Sequence, residues 1–199
     1  MHTRIIPCLL LKSKALVKTV RFKDPVYIGD PINAVKILNE KEVDELVFLD
    51  ISASIENSVV DFSLIADIAS ECFMPFAYGG GIKSVEDVKR LINLGAEKVI
   101  LNSVAVENLK FVEQVSRLFG SQSIVISIDA RRNMFGTYEV YTHGGRVKIG
   151  MDPVRFASLA EEHGAGEILL TSIDRDGTMS GYDLKLIQEV APAVSIPVI

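Results

Sequence analysis

A repeat with a spacing of 122 residues relates two long stretches of this sequence. Residues 29–51, GDPINAVKILNEKEVDELVFLDI, align without a gap with residues 151–173, MDPVRFASLAEEHGAGEILLTSI. Asp30-Pro31 falls on Asp152-Pro153, and Glu45 falls on Glu167. Each stretch has the pattern of a helix followed by a strand. Two similar halves of four strand–helix units make eight, so the repeat predicts a (β/α)8 TIM barrel rather than a doubly wound sheet.

Seven continuous apolar runs predict parallel strands that are covered on both faces. They are residues 4–11, 45–51, 75–80, 98–103, 124–130, 167–173 and 196–199. Helix-start signals lie between them. Each Asp-Pro pair predicts an N-cap with proline at the first helical position, and residues 84–87 predict a capping box. Alternation of strands and helices with short loops indicates an α/β fold.

The second copy of the repeat ends at Ile199, before the positions equivalent to Tyr78 and the glycines at 79–81. We therefore expect residues 1–199 to be a single barrel domain truncated after strand seven. The eighth strand and the last two helices are expected to be absent from this chain. A barrel of this kind has about 250 residues.

Composition excludes several classes of function. The net charge is −5 with no basic stripe, so nucleic acid is not an expected partner. No apolar run is long enough for a membrane span, and the N-terminal apolar run has no small-residue cleavage site, so we expect no signal peptide. Cys8 and Cys72 are expected to be buried thiols of a cytoplasmic protein. The isolated histidines, His2, His143 and His163, predict no metal site, and no cofactor is expected.

Glycines and polar side chains follow the third and fourth predicted strands. Gly79, Gly80 and Gly81 precede a capped helix, and Asn102 and Ser103 end the next strand. Glycine lets backbone N–H groups approach an oxyanion, and a helix N-terminus favours negative charge. We interpret this arrangement as a phosphate site. The alternative is a tight turn without a ligand.

Further carboxylates end other strands. Asp129 ends the apolar run at 124–130, where it can serve as a general acid or base, or can pair with Arg131 or Arg132. Asp50 can contact a substrate or support residues that do. Thr171 is a candidate substrate contact. Asp176-Gly177 is a candidate binding element, but Asp-Gly is also ordinary turn chemistry.

Four stretches carry a family resemblance that extends over the whole chain. They are DELVFLDISAS (44–54), YGGGIKSVEDV (78–88), EKVILNSVAVEN (97–108) and GAGEILLTSIDRDGTMSGYD (164–183). With them the sequence resembles the cyclase subunit of imidazole glycerol phosphate synthase, from histidine biosynthesis. The family fold is a (β/α)8 barrel of two similar halves.

The resemblance implies a substrate with a phosphate at each end. One phosphate would lie on Gly81, Asn102 and Ser103, with Gly80 beside it, and the other near Asp176 and Gly177. It also implies a glutaminase partner at the N-terminal face of the barrel, whose ammonia passes through the barrel and closes the imidazole ring. A charged ammonia gate would match Arg4, Glu45, Lys98 and Glu167; the alternative is a structural salt-bridge layer.

The chain departs from the family pattern around its first strand. The family has catalytic aspartates at the ends of strands one and five; Asp129 matches the second, but the first falls on Leu10, which cannot transfer a proton. Lys18 matches a functional lysine. Thr19 replaces a usual glycine, and Val26-Tyr27 replaces an Arg-Asp pair.

Three functions remain open at this point. The first is the histidine-pathway cyclase. The second is a paralogue that uses ammonia to form an acetamidino group on a sugar in surface-polysaccharide (O-antigen) biosynthesis. The third is a catalytically silent scaffold for a glutaminase. Leu10 counts against the first, and the polar strand ends count against the third.

Overall fold

The structure of the chain, a computed structural model, describes residues 3–199. His2 therefore lies outside the described residues. The chain forms two compact units. Unit 1 comprises the residues up to Lys18 together with 26–100, and unit 2 comprises residues 19–25 and 101–199.

Unit 1 is built on a mostly parallel sheet. Its strands are β1 (Cys8–Lys12), β2 (Ala15–Val20), β3 (Lys23–Gly29), β4 (Leu46–Asp50), β5 (Phe76–Gly79) and β6 (Lys98–Leu101). Residues 19–25 of the β2–β3 hairpin and Leu101, the last residue of β6, belong to unit 2. β1 pairs with β4, β4 with β5 and β5 with β6, all in parallel. β2 is antiparallel to β1.

Four helices of unit 1 connect these strands: α1 (Pro31–Glu40), α2 (Ala53–Glu56), α3 (Phe62–Glu71) and α4 (Val85–Asn93). The predicted caps are present. Asp30 accepts a hydrogen bond from the Asn33 N–H, and Pro31 occupies the first turn of α1. Ser84 and Asp87 form the predicted capping box. Leu46, Val47 and Phe48 of β4 are at most 1% exposed, as expected for a strand covered on both faces.

Unit 2 contains β7 (Ile124–Arg132), β8 (Tyr138–Thr142), β9 (Val147–Lys148) and β10 (Glu167–Ser172). β7 pairs with β10 in parallel and with β8 antiparallel, and β9 is antiparallel to β8. The helices of unit 2 are α5 (Ser103–Glu107), α6 (Leu109–Phe119), α7 (Pro153–Glu162) and α8 (Leu184–Val190), with 3-10 turns at Ser121–Ser123 and Ala191–Ala193. Asp152 caps α7 as predicted.

The predicted α/β class with a mostly parallel sheet is confirmed. Two details of the strand prediction are wrong. β1 begins at Cys8 rather than at residue 4, because Pro7 precedes it and proline has no N–H to donate. Residues 196–199 form no named strand, although they lie parallel to β10: Val198 bridges Ile168, and Pro197 and Ile199 make backbone hydrogen bonds to Ile168 and Leu170.

The hairpin strands β2, β3, β8 and β9 carry no continuous apolar run, and the sequence patterns did not predict them. β3 is exposed along most of its length. Cys8 is exposed and Cys72 is partly buried, so the prediction that both thiols are buried is wrong for Cys8. None of the helices formed by the described residues has the length and apolar character needed to span a bilayer.

The capping box of α4 gives a stability prediction. Ser84→Ala removes the acceptor for the Asp87 N–H and a donor to the Asp87 carboxylate, so the free energy of unfolding should fall by about 1 kcal/mol. Ser70→Ala is the control, because Ser70 lies inside α3 and binds only the Asp67 carbonyl. Urea unfolding of both variants measures the difference, and equal effects would contradict a capping role.

Candidate functional site

The carboxyl ends of β7 and β10 bring several of the predicted site residues together in unit 2. The register of the pair places Thr171 directly beside Asp129. Asn102 follows β6 and donates from Nδ2 to Asp129 Oδ2 at 3.2 Å and to the Ser127 carbonyl at 3.0 Å. Parallel strands end at the same edge of a sheet, which is why residues far apart in sequence meet here.

Asp129 is the titratable centre of this group. Ser127 Oγ donates to Asp129 Oδ1 at 3.4 Å, so each carboxylate oxygen has one side-chain partner. Burial raises the pKa of Asp129 to about 7, the negative charge of Asp176 adds to this, and the bonds from Ser127 and Asn102 oppose it. A carboxyl with a pKa near neutrality can both hold and release a proton at physiological pH, as acid–base chemistry requires.

Arg131 and Arg132 form no ion pair with Asp129, although such a pair was the alternative interpretation of this carboxylate. Arg131 lies over the ring of Tyr141, and Arg132 lies over the ring of Tyr138. The Arg132 N–H donates to Asp174 Oδ2 at 2.8 Å. The Asp129 carboxylate instead accepts from an amide and a hydroxyl, and neither of these neutral groups cancels its charge.

Ser103 lies beside Asn102 and also reaches the turn after β8. Its hydroxyl donates to Asn102 Oδ1 at 3.3 Å and accepts from the His143 N–H at 3.5 Å. His143 Nδ1 lies 3.0 Å from the Thr142 hydroxyl. Asn102 and Ser103 are thus held close to Asp129 by a polar network, and the prediction that they bind a phosphate stays a prediction.

Asp176 is engaged by the turn at residues 19–22. Its Oδ2 accepts from Thr19 Oγ1 at 2.8 Å and from the Phe22 N–H at 3.1 Å, and its carbonyl accepts from the Arg21 N–H at 2.9 Å. Gly177 is equally close, because a Cβ built on it would lie 2.0 Å from the Thr19 carbonyl oxygen. Asp176 thus contacts the turn at residues 19–22, whether it acts as a turn-former or as a binding residue.

Asp183 forms a polar cluster that the sequence patterns did not predict. Its carboxylate accepts from the Tyr138 hydroxyl at 2.7 Å and from the Ser172 hydroxyl at 3.1 Å. Burial raises the pKa of Tyr138 to about 12, and the bond to Asp183 adds to that shift. An aspartate directly before the apolar stretch LKLIQEV is an N-cap signal for α8, but no sequence pattern points to its partner in β8.

A cavity of about 380 Å³ lies beside this cluster in unit 2. Its lining includes Thr171, Ser172, Arg175, Asp176 and Asp183. All of these residues end or follow β10, so the cavity opens at the same strand ends as Asp129. Arg175 supplies a positive charge to a lining that also contains two carboxylates.

In unit 1, Asp50 shapes the loop that follows β4. Its Oδ1 accepts from the Ser52 N–H at 2.9 Å, the Ser52 hydroxyl at 2.7 Å and the Ala53 N–H at 3.2 Å. Gly80 packs against the same residue, since a Cβ on Gly80 would lie 2.5 Å from the Asp50 carbonyl oxygen. The structure thus gives Asp50 a loop-supporting role, which was one of its two interpretations.

Gly80 and Gly81 both need the freedom of glycine. Their φ angles are +113° and +72°, in the range that L side chains rarely adopt. The loop leads into the capped helix α4, as the phosphate-site interpretation requires. Phosphate binding by these glycines stays a prediction.

Leu10 and Lys18 lie on neighbouring strands of unit 1. Leu10 is paired with Val17 of β2 and with Leu49 of β4, so β1 has no carboxylate at that register. Lys18 is an exposed residue of β2. The structure does not assign either residue a chemical role.

The predicted charge layer is buried where it can be described. Lys98 Nζ lies 2.9 Å from both carboxylate oxygens of Glu45, and Arg4 Nη1 lies 3.0 Å from Glu45 Oε2. Glu45 is 5% and Lys98 is 9% exposed. In unit 2, Glu167 begins β10 and is also buried. Their role as an ammonia gate stays a prediction.

No cluster of three or more metal-ligating side chains occurs among residues 3–199.

Comparison with known proteins places these residues in a family. A family pattern described as "Histidine biosynthesis protein" matches residues 4–199. The chain belongs to the histidine biosynthesis protein family. The family resemblance predicted from its motifs is thereby confirmed.

Curated members of the family match nearly the whole chain. "Putative imidazole glycerol phosphate synthase subunit hisF2" of Pseudomonas aeruginosa is 50% identical over 196 residues, which are 98% of this chain and 78% of that protein. "Putative imidazole glycerol phosphate synthase subunit HisF" of Leptospira interrogans is 48% identical over 195 residues, covering 98% and 77%. "Putative imidazole glycerol phosphate synthase subunit hisF3" of Vibrio vulnificus is 47% identical over 198 residues, covering 99% and 76%.

The raised pKa of Asp129 predicts a pH-dependent effect on stability. The folded state keeps a proton on this carboxyl up to about pH 7, whereas the unfolded chain releases it near pH 3.8. The native chain should therefore lose stability between these values, and Asp129→Asn should gain roughly 1–4 kcal/mol relative to it as pH rises from about 4 to about 8.

Urea unfolding at several pH values measures this difference. Asp67→Asn is the control, because it removes a carboxylate from the exposed face of α3. A constant difference between native and Asp129→Asn proteins would contradict the raised pKa.

The buried pair in unit 1 predicts a large effect on stability. Lys98→Met deprives the buried Glu45 carboxylate of a cation, so the free energy of unfolding should fall by about 3–5 kcal/mol. Lys148→Met is the control, because the Lys148–Glu139 pair has an exposed lysine and should contribute less than about 1 kcal/mol. Thermal unfolding of both variants tests the contrast, and equal losses would refute it.

Proposed function

We propose that this chain is a cyclase-type subunit of imidazole glycerol phosphate synthase. It uses ammonia from a glutaminase partner to close the imidazole ring of a phosphoribulosyl-formimino carboxamide ribotide, in histidine biosynthesis. Membership of the family and about 50% identity to named synthase subunits support the proposal. We further propose that residues 1–199 belong to one (β/α)8 barrel domain built from two similar halves, which the parallel pairing within each unit supports.

The observation that carries an enzymatic role is the environment of Asp129. A carboxyl buried at a strand end, whose hydrogen-bond donors are a neutral amide and a neutral hydroxyl, is costly for folding. Asp183, by contrast, accepts three hydrogen bonds; although burial works in the opposite direction, these bonds hold the pKa of its carboxyl below its usual range. Asp129 is therefore the residue to which we assign proton transfer. Lys18 is a second proposed catalytic residue, because it matches a functional lysine of the family.

The substrate's phosphates are assigned to two groups of backbone and polar donors. From the family resemblance, Gly80, Gly81, Asn102 and Ser103 are assigned to one phosphate. Gly177 and Thr171 lie at the end of β10 and are assigned to the other, near Asp176. Asp50 packs against Gly80 of the first glycine loop, and its bonds to Ser52 and Ala53 fix its own loop.

The ammonia route is assigned to the buried charges. Glu45 holds Lys98 and Arg4 within 3.0 Å in unit 1, and Glu167 is buried in unit 2. We propose that these four residues line the passage through which ammonia arrives from the glutaminase at the N-terminal face. Replacing such a layer by apolar residues is often neutral or stabilising, so its retention is consistent with a role beyond stability.

Leu10 favours a second candidate function. A leucine stands where the family pattern has a catalytic aspartate, and its neighbours across the sheet, Val17 and Leu49, are also apolar. The chain would then be a paralogue that keeps the ammonia chemistry but acts on another acceptor, a sugar in surface-polysaccharide biosynthesis. A silent scaffold for a glutaminase is a weaker alternative, because it does not explain the environment of Asp129.

Ammonia-dependent consumption of the ribotide by the purified protein, at saturating ammonium, tests the proposal. We expect turnover by the native protein and a loss of about 10²–10⁴-fold in Asp129→Asn, because the amide cannot take up or release the proton. Asp67→Asn should leave turnover unchanged, since Asp67 is an exposed residue of α3.

The possible outcomes separate the candidates. Turnover that is unchanged in Asp129→Asn would refute the role of this carboxylate. No turnover by the folded native protein would refute the histidine-pathway cyclase. It would favour the second candidate function, in which the ammonia acceptor is a sugar.

A further inference from the structure

The two-residue turn at the tip of the β2–β3 hairpin is strained. Arg21 and Phe22 have φ angles of +53° and +62°. Two-residue hairpin turns with positive φ normally hold Asn or Gly, because a side chain in this region costs about 1–2 kcal/mol per residue. Neither Arg nor Phe relieves that cost, so the turn depends on contacts outside itself.

Those contacts converge on a single residue, Asp176. Its carboxylate accepts hydrogen bonds from the Thr19 hydroxyl at 2.8 Å and the Phe22 N–H at 3.1 Å, and its carbonyl accepts from the Arg21 N–H at 2.9 Å. Thr19 is only 5% exposed, so its hydroxyl is shielded from competing water. Charge-assisted bonds in such a setting are the stronger kind.

Two glycines let the turn approach this closely. A Cβ on Gly177 would lie 2.0 Å from the Thr19 carbonyl oxygen, and a Cβ on Gly145 would lie 3.2 Å from Phe22 Cδ2. The loop after β10 therefore lies against Thr19, and the loop after β8 lies against Phe22.

We propose that Thr19 is a positioning residue, which through Asp176 tethers the turn at residues 19–22 to the strand-end loop of unit 2 beside Asp129. The side-chain hydroxyl is the part of the tether that a glycine or an apolar residue at this position cannot supply. The tether keeps the turn at the carboxyl ends of β7 and β10 and so controls the access of substrate to Asp129. The proposal rests on the proposed function only in treating Asp129 as the reacting carboxylate.

Limited proteolysis with trypsin tests the tether directly, because the Arg21–Phe22 peptide bond lies in the turn. Cleavage there requires local opening, and its rate follows the population of the open form when closing is fast. Thr19→Val keeps the shape of the side chain but removes the hydroxyl, and we expect cleavage to rise about tenfold or more. Thr19→Ser restores the hydroxyl and should stay within about twofold of the native rate.

A second pair of variants tests the same contact from the other side. Gly177→Ala places a methyl against the Thr19 carbonyl and should release the turn. Gly181→Ala is the matched control, because Gly181 has a similar positive φ of +77° in the same loop, but a methyl added there would meet no described atom within 4 Å. Cleavage after Lys89, in helix α4, monitors global unfolding in every variant.

Faster cleavage in Thr19→Val and Gly177→Ala, with little change in both controls and at Lys89, is the expected result. Equal cleavage in Thr19→Val and Thr19→Ser, or in Gly177→Ala and Gly181→Ala, would overturn the tether. A protein that consumes no ribotide would count against the proposed reaction, while the proteolysis would still decide the tether.

Discussion

The parallel pairing of β7 with β10 is the constraint on which the candidate site of unit 2 depends. Its register places Thr171 beside Asp129, and the chain that leaves β10 carries Asp176, Gly177 and Asp183. Both strands are buried at their centres, with Ile126, Ile128 and Ile168 fully enclosed. The apolar core therefore fixes the positions of the strands, and the strands fix the positions of the polar residues at their carboxyl ends.

Carboxylates at these strand ends divide into two kinds by their partners. Asp50 accepts three hydrogen bonds within its own loop, Asp183 accepts three from β8, β10 and α8, and Asp176 accepts from the turn at 19–22. Asp129 has one amide and one hydroxyl donor, and burial raises its pKa to about 7. The first kind holds neighbouring segments in place, and the second is suited to proton transfer. This contrast supports the assignment of Asp129, together with the family to which the chain belongs.

Much of the fold was predictable from local sequence. Asp30-Pro31, Asp152-Pro153 and Ser84 begin helices as predicted, because an N-cap acts within one turn. The continuous apolar runs also identified β4, β5, β6, β7 and β10, since strands covered on both faces need no polar positions. The β2–β3 hairpin was not predictable: its tip residues, Arg21 and Phe22, are not turn-formers, and contacts from Asp176 supply the support that the local sequence lacks.

The sequence by itself determined the α/β class, the helix caps, the family and the set of polar residues at the strand ends. Those features depend on neighbours in the chain or on patterns shared with relatives. The tertiary structure alone decided which partner each aspartate has, and so which one is left with a raised pKa. A carboxyl's pKa is set by burial, nearby charges and hydrogen bonds. For Asp129 burial is the largest cause of the raised pKa, and two of the smaller contributions, the charge of Asp176 and the opposing hydrogen bond from Asn102, come from residues that are distant in the chain.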